Sequence, residues 1–355
     1  MALTKHRLRR FALSHGLDLF GVAGIERFAG APERMHPARI FPEARSVIVV
    51  GRRILRGGWR GVEEGTNWVS YTHFNYHGLL NTFFIPLGVY ETACFIEDHG
   101  YEAVPYYPGV PEIQPPDEPL RPGAPAPDVH LALRIAAVAA GLGEIGWSKV
   151  FLSRRFGPRQ RLAAIITDLP LPPDPLVPPG TLCNRCLACV KGCPGAIPHP
   201  ASQRTVRITI EDQTYTWADV DMGKCVLMYH GGDPRVSPFI HKSFPGYHFD
   251  VTKQRLSEEA AYKFCWPMSK GHWRRTREFP AGYIIEGHAS LSDWGVGGSY
   301  GICASRGCMR SCFDCLERRG AIEQRFHGGR FIRRPRWLLP ARTKPSQQAD
   351  NSIPQ

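Results

Sequence analysis

Hydrophobic positions along the first half of the chain follow helical and strand periods in turn. The N-terminal residues predict a helix that leads into a short strand, LFGVAG. The run SVIVVGRRI, at residues 46–54, is rich in β-branched apolar residues and predicts a buried strand. Residues 74–99 predict a long helix with a break near Pro86, and GYEAVPYYP follows as an edge strand. This order of elements predicts a mixed α/β body.

Two proline-rich stretches, residues 108–127 and 170–180, divide the chain, because proline at this density excludes helix interiors and central strands. Between them, DVHLALRIAAVAAGLGEIGWSKVFLSRRFGPRQRLAAIITDLPL predicts a helix, a glycine turn, a short strand and its hairpin partner. Beyond them, RTVRITIEDQTYTWADVD alternates like a hairpin, and residues 231–300 show no clear period. We therefore predict three parts: an α/β body at 1–175, a metal-bearing module at 176–325 with an insertion at 200–300, and a basic to polar tail at 326–355.

The composition is that of a globular protein with a basic surface. Of 355 residues, 43% are hydrophobic and 21% are charged, which is enough apolar material for a sizeable core. The 44 Lys and Arg against 32 Asp and Glu give a net charge of +12. That charge favours a polyanionic partner such as nucleic acid, a phosphorylated cofactor or an acidic electron carrier. A solvated basic surface without a dedicated partner explains it equally well.

The sequence predicts neither a membrane span nor an export signal. No stretch approaches the length of about 18 apolar residues that a span requires. Polar residues at Ser14, His15 and Asp18 interrupt the N-terminal apolar segment, which a secretory signal would keep unbroken. We predict a soluble cytoplasmic protein without membrane contact, in which clustered cysteines bind metal rather than form disulfides.

Four cysteines in TLCNRCLACVKGCP carry the strongest chemical signal. Their spacing, C-x2-C-x2-C-x3-C-P, is that of the bacterial ferredoxin run. In that run three thiolates bind one [4Fe-4S] cube and the fourth binds a second cube. Zinc sites favour two separated cysteine pairs, so two [4Fe-4S] clusters are the better prediction.

A second cube needs further thiolates, and GKCVLMYHGG and YGICASRGCMRSCFDCLE supply them. When the x3-spaced pair is split between the cubes, one predicted ligand set is Cys183, Cys186, Cys189 and Cys312. The other predicted set is Cys193, Cys225, Cys303 and Cys308, with Cys315 as the rival of Cys225. Cys94 and Cys265 are expected to remain unligated. Two neighbouring cubes predict an electron relay.

The stretch AAGLGEIGWSKVFLSRRFGPRQRLAAIITDLPLPPDP, followed closely by the ferredoxin run, resembles the family that joins epoxyqueuosine reductases with reductive dehalogenases. The order of FGVAG, FPEARSVIVVG, GYEAVP and AAGLGEIG is also similar, so the resemblance covers roughly residues 15–200. Within it, GEIG and FGPRQRL look more like the dehalogenase branch, whereas the second cysteine motif departs from both branches. The resemblance implies a nitroreductase-like α/β body, a ferredoxin-like dicluster module, and a corrinoid (cobalamin) that the adjacent cluster reduces.

Five residues acquire candidate corrinoid-binding roles from this resemblance. Gly141, Gly143 and Gly146 would let the backbone approach the corrinoid closely, or they serve a helix cap and tight packing. Arg159 and Arg161 would hold polar groups of the corrinoid or the substrate, or they form one solvated face of a strand.

A proton donor is also expected. The resemblance points to Asp128 and His130, because the catalytic aspartate of epoxyqueuosine reductases precedes the AGLG turn. Asp128 is also a good N-cap for the helix that follows it. Dehalogenases use a tyrosine, and no motif selects among Tyr71, Tyr76, Tyr106 and Tyr107.

Three functions follow. The first is an iron–sulfur oxidoreductase with two [4Fe-4S] clusters and a corrinoid that carries out reductive elimination or deoxygenation of a small organic substrate. The second is a tRNA epoxyqueuosine reductase-like enzyme, which the net charge of +12 favours. The third is a ferredoxin-type electron-transfer protein without a substrate of its own. For either enzyme the expected electron donor is a ferredoxin or a flavodoxin.

Overall fold

Four strands, all paired antiparallel, form the central sheet of the body. The computed structural model describes residues 3–72, 74, 79–106, 117–233, 250–269, 272–274, 283–285 and 303–328. The sheet has the order β1-β2-β6-β3, made of β1 (Leu19–Gly24), β2 (Ser46–Arg53), β6 (Gln160–Thr167) and β3 (Ala103–Tyr106). Three separate hairpins are β4 (Gly143–Ile145) with β5 (Phe151–Ser153), β7 (Thr205–Ile210) with β8 (Gln213–Ala218), and β9 (His272–Arg274) with β10 (Tyr283–Ile285).

Helices flank the sheet and carry most of the cysteines. In chain order the described helices are α1 (Lys5–Ser14), α2 (Gly58–Glu64), the single turn α3 (Val69–Tyr71), α4 (Ile85–Glu97), α5 (Leu133–Ala139), α6 (Ala188–Gly192), α7 (Met222–Tyr229), α8 (Glu258–Ser269), α9 (Cys303–Arg306) and α10 (Cys308–Arg318). Among the described residues, no helix has the length and apolar character that crossing a bilayer requires. The mixed α/β class predicted from the sequence is confirmed.

Alternate residues of β6 face two different hydrophobic cores, because successive side chains of a strand point to opposite faces. Ala163 and Ile165 are buried in the core that includes residues of α1 and α4. Ala164, on the other face, is buried in the core that includes Ala136 and Val138 of α5. The sheet thus separates an α4 side from an α5 side.

Most elements lie where the hydrophobic pattern predicts them, with three differences. The break near Pro86 is a helix start, since Pro86 lies in the first turn of α4 after a π-helical stretch, Leu80–Phe84. Asp128 does not cap a helix, because α5 begins at Leu133 and its N-cap residue makes no side-chain hydrogen bond. Helix α8 lies in the stretch for which the sequence shows no clear period.

Helix α10 buries its apolar side chains in the core on the α4 side. Met309, Phe313 and Leu316 belong to the same cluster of buried residues as the strand residue Ile48. The Phe313 ring meets the Trp59 ring of α2 nearly perpendicularly, with the centroids 5.5 Å apart. Helix α10 and the body therefore share one core, although they lie on opposite sides of the boundary predicted near residue 175. The division of the chain into three parts stays a prediction.

A buried ion group joins α2 to the cysteine-bearing helices. Glu63 is fully buried, and its carboxylate accepts a hydrogen bond from Nε of Arg310 at 2.7 Å. The guanidinium of Arg306, itself 4% exposed, lies 3.9 Å from the same carboxylate. Since both arginines stand between cysteines, this carboxylate fixes α9 and α10 against the body.

Removal of the Glu63 carboxylate should destabilise the fold strongly. In Glu63→Ala two guanidinium groups stay buried without this counter-charge, which costs about 3 kcal/mol in comparable cases. The free energy of unfolding, measured by urea titration, is the readout. Glu33→Ala is the matched control, because Glu33 pairs with Arg39 at an exposed position, where a loss of less than about 1 kcal/mol is expected. Equal losses in the two variants would contradict the role given to Glu63.

Candidate functional site

Five cysteines line one small cavity beside α6 and α10. The thiols of Cys183, Cys186, Cys189, Cys312 and Cys315 all face this space. Cys183, Cys189 and Cys186 each raise the pKa of Cys312 as neighbouring negative charges, after the larger effect of burial. The structure therefore brings together the four cysteines of the first predicted ligand set and adds Cys315 to them.

A second group of thiols forms beside α7 and α9. Burial raises the pKa of Cys303, and the thiols of Cys308, Cys225 and Cys193 raise it further as close neighbours. Cys225 and Cys193 have the same effect on Cys308. The four cysteines of the second predicted ligand set are thus neighbours as well.

The two groups adjoin each other. Cys189 of the first group raises the pKa of Cys308 in the second. Helix α10 also contributes to both groups, with Cys308 in its first turn and Cys312 one turn later. One helix thus connects both groups of thiols.

The thiol environment suits iron–sulfur clusters. Burial raises the pKa values of Cys189 and Cys225 to about 11, because a low-dielectric site disfavours the thiolate. Four adjacent thiolates in such a site need nearby cationic charge, which the irons of a cube supply. In the part of the chain that the structure describes, no three His, Cys, Asp or Glu side chains converge on a position for one metal ion.

The carboxylate of Glu144 organises the loop that begins the first cysteine run. Glu144 is 3% exposed and lies in β4. Its carboxylate accepts hydrogen bonds from the backbone N–H groups of Gly180 (2.8 Å), Leu182 and Cys183 (3.0 Å). A buried carboxylate with three donors is well satisfied. Glu144 therefore fixes the backbone of Cys183.

The residues after Glu144 reach the same loop. The backbone N–H of Trp147 donates to Sγ of Cys183 at 3.3 Å, and its indole N–H donates to the carbonyl of Pro198 at 3.0 Å. The guanidinium of Arg185 lies over the indole, 5.3 Å from the ring centroid. The GEIGW stretch of the sequence thus supports the first thiol group, a role that sequence reasoning missed.

Three further cysteines differ in their relation to the groups. Cys315 donates to Sγ of Cys186 at 3.2 Å, so it adjoins the first group rather than replacing Cys225 in the second. Cys265 of α8 is fully buried in the apolar core beside the second group. Cys94 lies half-buried on α4.

The three glycines chosen for a corrinoid pack against the chain itself. Gly141 ends α5 with φ +68°, and a Cβ there would overlap the carbonyl oxygen of Pro175. A Cβ at Gly143 would overlap the carbonyl of Leu152 on the paired strand. Gly146 lies in the same hairpin, where its N–H donates to the carbonyl of Val150 at 2.9 Å. These glycines serve a helix end and a tight hairpin.

The two arginines chosen with them lie on the other side of the sheet. Arg159 and Arg161 are an even number of residues away from Ala163, so their side chains lie on the same face of the sheet as Ala163, which faces α4. Gly141 ends α5, which packs on the opposite face. Arg159 is fully buried and donates to the carbonyl of Ile54 at 2.6 Å, and Nε of Arg161 donates to the Asn81 amide oxygen at 2.9 Å. The five residues therefore form no common cradle and do not fit a corrinoid site.

Asp128 and His130 are exposed in the segment that precedes α5. The backbone N–H of His130 donates to the carbonyl of Arg34 at 2.8 Å. Asp128 lies close to the half-buried Tyr106, whose pKa is raised by burial and, to a smaller extent, by this carboxylate. The structure thus brings two proton-donor candidates together, Asp128 and Tyr106.

The other tyrosines do not join this pair. Tyr71 is fully buried, and its ring contacts that of Trp59 at a centroid distance of 6.3 Å. That position suits a core residue. Tyr76 and Tyr107 lie outside the described residues.

Glu144→Gln should weaken the first cluster selectively. A carboxamide offers one acceptor oxygen in place of two, so at least one of the three backbone N–H groups loses its partner. We expect less than half of the iron of the first cube to remain after anaerobic reconstitution, with the second cube retained. Iron analysis and electron paramagnetic resonance measure this. Glu211→Gln is the control, because Glu211 is an exposed carboxylate on the β7-β8 turn; equal iron loss in both variants would refute the role of Glu144.

Serine substitutions distinguish the ligands of the second cube. Cys225→Ser should remove about four irons per chain, since the cube loses one of its four thiolates. Cys265→Ser and Cys315→Ser should keep the iron content of the unsubstituted protein. Iron and protein determination on the three reconstituted variants is the measurement. Loss of a cube in Cys315→Ser with retention in Cys225→Ser would reverse the assignment.

Comparison with known proteins supplies a sequence relationship. No family model matches the chain. The chain is 35% identical over 165 residues to the tetrachloroethene reductive dehalogenase of Dehalobacter restrictus, and 39% identical over 165 residues to one of Desulfitobacterium hafniense. Each match covers 42% of this chain and 30% of the relative, so the chain corresponds to less than a third of those proteins' length.

Solved structures give a distant likeness only. An epoxyqueuosine reductase from Bacillus subtilis is 14% identical with a TM-score of 0.42, covering 88% of this chain and 81% of that one. The catabolic reductive dehalogenase NpRdhA is 19% identical with a TM-score of 0.42, covering 61% of this chain and 27% of that one. At these scores the structural likeness supports no inference about activity. Over the matched residues the chain is similar in sequence to the reductive dehalogenases, which supports the family resemblance stated from the sequence.

Proposed function

We propose that the protein is an iron–sulfur oxidoreductase whose two [4Fe-4S] clusters relay single electrons for the reductive elimination or deoxygenation of a small organic substrate. The observation that supports this most directly is the grouping of nine thiols into two adjacent sets, one of five and one of four. Adjacent cubes exchange electrons over a short distance, so the pair serves as a relay. The sequence relationship to reductive dehalogenases supports the reductive direction of the chemistry.

The body supplies candidates for the proton that such a reduction consumes. Tyr106 keeps its phenolic proton to a higher pH than an ordinary tyrosine, because burial and the nearby Asp128 carboxylate raise its pKa. A phenol that stays protonated can donate to a carbanionic product. Asp128 and Tyr106, which lies near it at the end of β3, are therefore the two candidate donors.

A corrinoid enters this proposal only through the family relationship. The five residues that the sequence suggested for it do not form a site, so no step of the reaction is derived through it. When bound in a reductase, a corrinoid supplies a cobalt centre that transfers electrons to the substrate.

Anaerobic purification followed by metal analysis, absorption spectroscopy and electron paramagnetic resonance tests the proposal. We expect about eight irons per chain, two interacting [4Fe-4S] signals after reduction, and little zinc. Cobalt at about one per chain would support a corrinoid-dependent reductase. Eight irons without affinity for cobalamin and without reductive turnover would favour the electron-transfer protein instead. Salt-sensitive binding of tRNA to the reconstituted protein would favour the tRNA-modifying alternative.

A further inference from the structure

One corner of the first thiol group reaches the surface. Of the eleven cysteines, all of which lie in described residues, only Cys186 has an exposed side chain. Cys315, the thiol that donates to it, is buried behind it. Electron transfer weakens steeply with distance, so a protein that reduces the first cube has its shortest approach at Cys186.

Basic side chains surround this corner. Arg185 is exposed beside Cys186, and it shares the lining of the thiol cavity with Arg319. Arg318 and Arg319 follow Cys315 by three and four residues at the end of α10, so they lie on the same side of the helix as this thiol. Asp314 pairs with Arg318 at 3.2 Å. The described residues named here thus place three guanidinium groups and one carboxylate around the Cys186 corner.

We infer that this basic rim, formed by Arg185, Arg318 and Arg319 around Cys186, is the docking face for an acidic one-electron carrier protein. The inference rests on the proposed function in so far as the first group holds a cube. Complementary charge steers such a carrier toward the rim and orients its redox centre at the Cys186 corner. Electrons then enter at the first cube and pass to the second.

An acidic carrier suits this face better than nucleic acid does. Tight binding of a polyanion requires many phosphate contacts, and the rim offers three guanidinium groups around an exposed thiol. One of them, Arg319, donates to the carbonyl of Leu182 and so also holds the cysteine loop. An exposed cluster corner gives a redox partner a route for electrons, whereas a nucleic acid gains nothing from it.

Neutralisation of the rim tests the inference. The variant is Arg185→Gln with Arg318→Gln, which removes two positive charges and leaves the loop contact of Arg319 intact. The matched control is Arg204→Gln with Arg207→Gln on the β7-β8 hairpin, since both residues are exposed and Arg204 pairs with Asp219 at 3.3 Å, as Arg318 does with Asp314. Stopped-flow bleaching of the cluster absorption, after mixing with a reduced acidic plant-type ferredoxin, gives the second-order rate constant. Iron content and the resonance spectrum verify that both variants hold their cubes.

We expect the rim variant to be reduced about tenfold more slowly than the control at low ionic strength, with the difference disappearing in high salt. Equal rate constants for the two variants would overturn the inference. Loss of tRNA binding in the rim variant, with unchanged reduction by ferredoxin, would assign the face to nucleic acid and overturn it also. Because cluster reduction is measured without substrate, failure to find reductive turnover leaves this result unaffected and bears only on the proposed function.

Discussion

The buried contact between Glu63 and Arg310 anchors the helix that carries cysteines of both thiol groups. The carboxylate is fully buried, and the hydrogen bond of 2.7 Å ties α2 of the body to α10. Helix α10 carries Cys308 of one group and Cys312 of the other, so its position sets both. A buried pair of this kind is costly to break, because the loss of one partner leaves an unpaired charge in the core. The body therefore holds in place the helix that contributes to both thiol groups.

The sequence predicts the strands of the central sheet well, because they follow a local pattern, and it singles out the cysteines that the structure brings together. Alternation and β-branching identify β2, and the ferredoxin spacing identifies the first cysteine run. In α10, Cys308, Cys312 and Cys315 recur at four and three residues and share one helix face, which is a local signal as well. The placement of Cys315 beside Cys186 could therefore have been anticipated in part.

Long-range contacts were beyond the reach of such patterns. Glu144 binds backbone groups 36 to 39 residues further along the chain, and no property of GEIG alone announces that pairing. The glycines of AGLGEIG suit a cofactor cradle or tight packing equally well until the carbonyls of Pro175 and Leu152 are seen beside them. Arg159 and Arg161 could be assigned to a face of the sheet only once the pairing of β6 was known.

One consequence of the shared helix concerns timing. Cys308 and Cys312 are four residues apart on α10, which corresponds to a rise of about 6 Å. A helix backbone changes its length very little in thermal motion. The distance between Cys308 and Cys312 along α10 therefore stays nearly constant. For the two clusters proposed above, such a spacer would keep the distance between them, and so the rate of electron transfer from one to the other, nearly constant.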